Sequence, residues 1–114
     1  MNIKMLSVVI CVMAVVWATQ AKAITDDQYN RIKRLGELNG VALHCSFLDE
    51  ARRLKGALVI ALPKRRQLGQ AFEDVTNESF LAFIRSNSSC PDEALFSRQV
   101  DEAIDALNAA FSTE

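Results

Sequence analysis

Two cysteines, Cys45 and Cys90, constrain this chain more than any other pair of residues. The remaining cysteine, Cys11, lies in an apolar leader, so once that leader is removed a single intramolecular pairing is left. In an oxidising compartment that pairing is a disulfide. Closing a loop of about 45 residues stabilises by about 4 kcal/mol in the chain-entropy picture, against a typical folding margin of about 5–15 kcal/mol. A catalytic or redox thiol calls for Cys-x-x-Cys spacing or a thiolate-stabilising setting, and no such spacing occurs.

The leader reads as a secretory signal. Met1-Asn2-Ile3-Lys4 is a short basic start, Met5 through Ala18 is an apolar core broken only by Ser7, and Ala21-Lys22-Ala23 places small residues at a cleavage site. A helix crossing about 30 Å of hydrocarbon needs roughly 20 apolar residues, more than this core supplies, so no stable membrane anchor is expected. Cys11 sits in mid-core behind Val8-Val9-Ile10, where lipoprotein processing would need small residues. The sequence therefore predicts cleavage after Ala23, with residues 1–23 as signal peptide and 24–114 as a single helical domain.

Residues 24–114 carry 11 basic and 14 acidic side chains, unevenly placed: 24–72 hold nine basic and five acidic, 73–114 two and nine. Such asymmetry marks either an interaction surface or two halves that face each other, and a compact bundle favours the second.

The periodicity is helical throughout. Thr25-Asp26-Asp27-Gln28 has the form of a capping box with acids in the first turn. Tyr29, Ile32, Gly36, Asn39, Leu43 and Phe47 follow at helical spacing, with Leu35, Leu38, Ala42 and Cys45 alongside. Asn39-Gly40 is a C-cap signal, but the pattern predicts continuation to about Leu48, which puts Gly36 and Gly40 on one face where another helix can approach closely. A second helix from Asp49 runs into Ala57-Leu58-Val59-Ile60-Ala61-Leu62, six apolar residues that predict a buried pin of the core, ended by Pro63. Leu68, Ala71, Phe72 and Val75 form the next stripe. Thr76-Asn77-Glu78 is expected to break and recap it before a short helix carrying Phe80, Leu81, Phe83 and Ile84. Ser86 to Ser89 is a loop by composition. Cys90-Pro91-Asp92-Glu93 then starts a last helix with Phe96, Val100, Ala103, Ile104, Leu107, Ala110 and Phe111 inward. The expected fold is all-α, a small four- or five-helix bundle stapled by one disulfide.

Few residues offer chemistry. His44 is the only histidine, and no zinc spacing, acidic calcium loop, glycine-rich phosphate cradle or haem-attachment motif is present. No cofactor is expected, and the reading is not that of an enzyme. Asp101, Glu102 and Asp105 fall opposite the apolar stripe and read as a solvated face. The candidate interaction surface is basic: Arg52, Arg53 and Lys55 before the apolar run, and Lys64, Arg65 and Arg66 after it. An exported chain of net negative charge is not expected to bind nucleic acid.

The order of features resembles the pilotin-like periplasmic proteins. It comprises a helix carrying the first cysteine, a basic-x-Ala-Leu-Val helix start at Lys55-Gly56-Ala57-Leu58-Val59, a short aromatic helix, the second cysteine and a final helix, over most of residues 35–110. Pilotins carry a lipidation cysteine that this leader lacks, so outer-membrane anchoring does not carry over. The resemblance implies a small helical accessory that holds a segment of another exported protein, periplasmic in a Gram-negative host and otherwise secreted. Acid-stress chaperones share the size, the helices and the single bridge; that alternative predicts a holdase whose carboxylates protonate at low pH and loosen the bundle to expose Phe80, Phe83 and Ile84. The exported protein is expected to have the intact mass of residues 24–114 less two hydrogens, and a retained leader or two free thiols would overturn the export argument.

Overall fold

The computed structural model describes residues 23–112, which form four α-helices and no strand. The expected leader up to residue 22, and with it the cleavage site's upstream side, lies outside the described residues. The helices are α1 (Asp26–His44), α2 (Leu48–Ala61), α3 (Arg66–Arg85) and α4 (Glu93–Phe111).

Helix α1 is the hub. Its N-terminus is the capping box expected from Thr25 and Gln28: the Gln28 amide N–H donates to Thr25 Oγ1 at 3.1 Å, and the Thr25 N–H donates to Gln28 Oε1 at 3.0 Å. The Gln28 side-chain amide also donates to the Ala110 carbonyl at 3.0 Å, which ties the start of α1 to the end of α4. The helix passes through Asn39-Gly40 as the pattern predicts and stops at His44, about one turn before the expected end. The stop is a Schellman arrangement in which the Phe47 N–H reaches the Ala42 carbonyl at 2.8 Å and Ser46 takes a left-handed conformation (φ 60°). Helix α3 ends by the same device, with Asn87 left-handed (φ 51°) and the Ser88 N–H directed at the Phe83 carbonyl. Asparagine tolerates that conformation better than most residues.

Helices α1 and α3 cross so closely that only glycine fits. A Cβ on Gly36 would lie 2.9 Å from the Phe72 carbonyl oxygen, and one on Gly40 would lie 2.7 Å from the Phe80 amide nitrogen. Between these glycines the buried Asn39 amide donates to the Thr76 hydroxyl at 3.2 Å, and that hydroxyl donates to the Phe72 carbonyl at 2.8 Å. This explains why Thr76 does not break α3. A helical threonine can return its hydroxyl proton to the carbonyl four residues back, so Thr76-Asn77-Glu78 continues one helix from Arg66 to Arg85, and the bundle has four helices. The separate short aromatic helix is in fact the last turns of α3.

Ile32, Leu35, Leu54, Phe72, Phe96, Val100 and Leu107 fill the centre of the core. The α4 stripe lies inward along its length, with Ile104 and Ala110 at the margin. Asp92, rather than the proline before it, caps α4 by accepting from the Leu95 N–H at 3.1 Å. On α1 the inward line runs through Ile32, Leu35, Leu38 and Ala42, whereas Tyr29 and Leu43 are exposed. The apolar run 57–62 is not a buried pin. Helix α2 packs mainly on α1 and α4, so one narrow stripe, Leu54 and Leu58 with Ala51 and Ala61 beside it, faces the core. At about 100° per residue the next two positions turn away, and Val59 and Ile60 are 73% and 85% exposed.

Cys45 and Cys90 are joined, with their Cα atoms 5.7 Å apart. The bridge ties the end of α1 to the residues before α4, as the spacing predicts.

The glycines separate close packing from mere presence in a helix. Gly40→Ala is expected to destabilise by about 1–3 kcal/mol, because backbone must move. Gly56→Ala, with nothing within 4 Å of the added carbon, is expected to stabilise by about 0.5–1 kcal/mol through helix propensity. Denaturant unfolding of the two variants checks both signs, and a neutral Gly40→Ala would contradict the close crossing.

Candidate functional site

Helices α1, α2 and α4 pack on one another, while α3 lies mainly against α1 and makes only marginal contact with α2 or α4. That leaves a cleft on each side of α3, floored by α1.

The cleft between α2 and α3 has a volume of about 330 Å³ and is lined by Asn39, Leu43, Leu48, Ala51, Arg52, Lys55, Phe72 and Glu73. Each lining residue has a local reason to be there. Leu43 lies one turn beyond Asn39 on α1. Leu48, Arg52 and Lys55 share one flank of α2 at helical spacing, and Phe72 closes the floor from α3. Leu43 and Leu48 are 43% and 55% exposed at the mouth. Two large aliphatic side chains thus stand open to solvent beside a guanidinium and an ammonium. Arg52 reaches Asp49 at 3.2 Å, a fully solvated pair worth little, so its charge remains available to a partner. Neither Leu43 nor Leu48 stood out in the sequence as a surface residue. A usable signal was present, since Leu48 sits four residues before Arg52 on the flank away from Leu54 and Leu58.

The cleft between α3 and α4 is larger and more polar. It holds about 540 Å³ between Ser79 and Phe83 on α3, Ser89 and Pro91 in the connection, and Phe96 and Gln99 on α4. Leu38 and Val41 floor it, and Arg34 and Glu37 rim it, pairing with each other at 3.2 Å.

The six basic residues singled out in the sequence do not form one surface. Arg52 and Lys55 rim the α2–α3 cleft. Lys64 and Arg65 border a smaller hollow of about 220 Å³ with Leu58, Val59, Leu62, Pro63 and Gly69, and Arg66 is exposed as the first residue of α3. Arg53 faces the other way. Its guanidinium donates to Glu50 at 2.7 Å and to Ser97 at 3.3 Å, and it bonds Asp101 on α4. The hydrogen bond with Asp101 is the main reason the Arg53 guanidinium is held above its ordinary pKa, with burial opposing and Glu50 adding to the rise. Asp101 is therefore an interhelical anchor rather than part of a purely solvated acidic face. Arg53–Asp101 is also where the basic and acidic halves meet; the other ion pairs among the described residues are one turn apart within a single helix.

His44 is exposed at the end of α1, with its ring 5.6 Å from Phe80 and 4.9 Å from Phe83. Those contacts position the last turns of α3 against α1. Among the described residues, no three histidine, cysteine or acidic side chains gather closely enough to hold a metal ion, and no helix is long and apolar enough to cross a membrane. The disulfide fits an oxidising, exported location. The chain matches no family model, no curated protein and no solved structure.

Proposed function

We propose that this protein is a small exported binding or assembly accessory that holds an amphipathic, acidic segment of another exported protein in the cleft between α2 and α3. The observation that carries the reading is the pairing of exposed Leu43 and Leu48 with the cations Arg52 and Lys55 around a floor made by Phe72. A helix laid into a groove offers apolar residues at i, i+3 and i+4 to such a floor, and acids on its flanks meet the rim. Exposed aliphatic surface beside a rim with two cations, Arg52 and Lys55, against one acid, Glu73, is the composition of a docking site. The reading also rests on the resemblance to pilotin-like proteins, whose accessory role it extends to this chain without the lipid anchor. The disulfide, which fits an oxidising, exported location, supports a reading in which the protein acts in the periplasm of a Gram-negative host or in the secreted fraction of another.

The stress-holdase reading has one observation in its favour, and it alters the expected mechanism. Leu81 and Ile84 are exposed in the folded chain, and Phe80 and Phe83 are half-buried. Apolar surface is thus present at the end of α3 without acid loosening the bundle. A holdase working through it would suppress aggregation of unrelated clients at neutral pH.

A photo-crosslinking residue at position 43 tests the accessory reading in the exporting cell. It is expected to trap one discrete exported protein, whereas the same residue at position 95, exposed on α4 and outside the clefts, traps none. Leu48→Asp is expected to weaken the captured complex tenfold or more, since burying a leucine contributes about 1.5–3 kcal/mol. Equal trapping at both positions, or an unaffected Leu48→Asp variant, would sink the cleft as the site.

A further inference from the structure

We propose that the end of α2 and the turn into α3 form a reversible docking surface for an anionic phospholipid bilayer. The inference goes beyond partner binding in the cleft and, apart from Lys55 at the border of both surfaces, uses different residues. Its first support is shape. Val59 and Ile60 are the most exposed large apolar side chains among the described residues, and they sit at the last turn of α2, just before Pro63. Being adjacent in sequence, they diverge by about 100° around the helix. Ile60 protrudes into solvent, while Val59 stands at the edge of the small hollow that Lys64 and Arg65 border.

The second support is charge. From Ala51 to Phe72 the chain carries six basic residues and no acidic one. Lys55, Lys64 and Arg66 are exposed and make no ion pair among the described residues. The cations of α1 are held differently: Arg31 pairs with Asp27, Arg34 with Glu37, and Lys33 lies over the Tyr29 ring. Of the other exposed cations without an ion pair among the described residues, Arg85 and Arg98 stand singly on α3 and α4, whereas Lys55, Lys64 and Arg66 flank Val59 and Ile60 in the chain.

A bilayer fits these two features better than a folded protein does. A protein site gathers apolar residues into a packed patch with polar groups at its rim, as the α2–α3 cleft does. A membrane interface accepts an aliphatic tip at the acyl boundary while lysine and arginine meet headgroup phosphates. No described helix is long and apolar enough to cross a membrane, and the proposed contact is adsorption through this tip, weakened by salt.

Vesicle co-sedimentation of the disulfide-bonded protein tests this, with phosphatidylcholine alone against phosphatidylcholine mixed with phosphatidylglycerol. Partition into the anionic vesicles is expected to exceed that into the zwitterionic ones by about tenfold or more and to fall at high salt. Val59→Ser/Ile60→Ser and Lys64→Glu/Arg66→Glu, with circular dichroism showing native helix content, are each expected to weaken it by about tenfold. Leu48→Asp is expected to leave it unchanged, which separates this surface from the cleft. Equal partition into both vesicle types, no partition, or partition that survives both double substitutions would overturn the proposal. So would binding of an acidic polypeptide by these residues when vesicles are ignored, which would assign the surface to a protein.

Discussion

The fold depends on how closely α1 and α3 approach at Gly36 and Gly40. With glycine at both positions, the backbones meet where any side chain would collide with the Phe72 carbonyl oxygen or the Phe80 amide. The approach also brings Asn39 within reach of Thr76 and Ser79 within reach of the Glu37 carbonyl, at 3.2 and 2.7 Å. Asn39 and Thr76 are buried, and buried polar groups are costly unless satisfied, as these are. A pair of small residues thus gives α3 a seat that the sparse apolar content of its first half would not secure alone.

The consequence is an asymmetric bundle. Helix α3 rests on α1 with little support from α2 or α4, and the two clefts beside it follow from that single-sided attachment. The disulfide acts at the opposite end from the α2–α3 turn, fixing the end of α1 to the residues before α4. Arg53 and Asp101 hold α2 to α4 on the flank away from α3. The surfaces offered to partners are therefore those the frame leaves uncovered: the Leu43–Leu48 mouth of the cleft, and the apolar tip of α2 among its cations.

What could be read from the sequence was what is local. The Thr25–Gln28 box, the glycine pair on α1 and the α4 stripe each depend on spacing within a few turns, and each appears in the structure. The bridge was legible because only one pairing was possible in the chain without its leader. Two features were not legible, for physical reasons. The run 57–62 is uniformly apolar, so its pattern carries no direction, and its facing was set by how few neighbours α2 has. Thr76 reads as a breaker until Asn39 is placed beside it, 37 residues earlier in the chain. The candidate site suffered similarly: the basic residues were visible, but their division among a cleft rim, an interhelical anchor and an exposed tip depends on tertiary packing.

If the glycine crossing organises the domain, α1 and the portion of α3 seated on it must open together. Native-state hydrogen exchange of the disulfide-bonded protein measures this directly. The amides of 32–42 and of 68–76 are expected to share one opening free energy, close to that of global unfolding, while those of the exposed last turn of α2 exchange sooner. Exchange of 68–76 at a much lower free energy than 32–42 would show that α3 detaches on its own, and would contradict a fold built on its contact with α1.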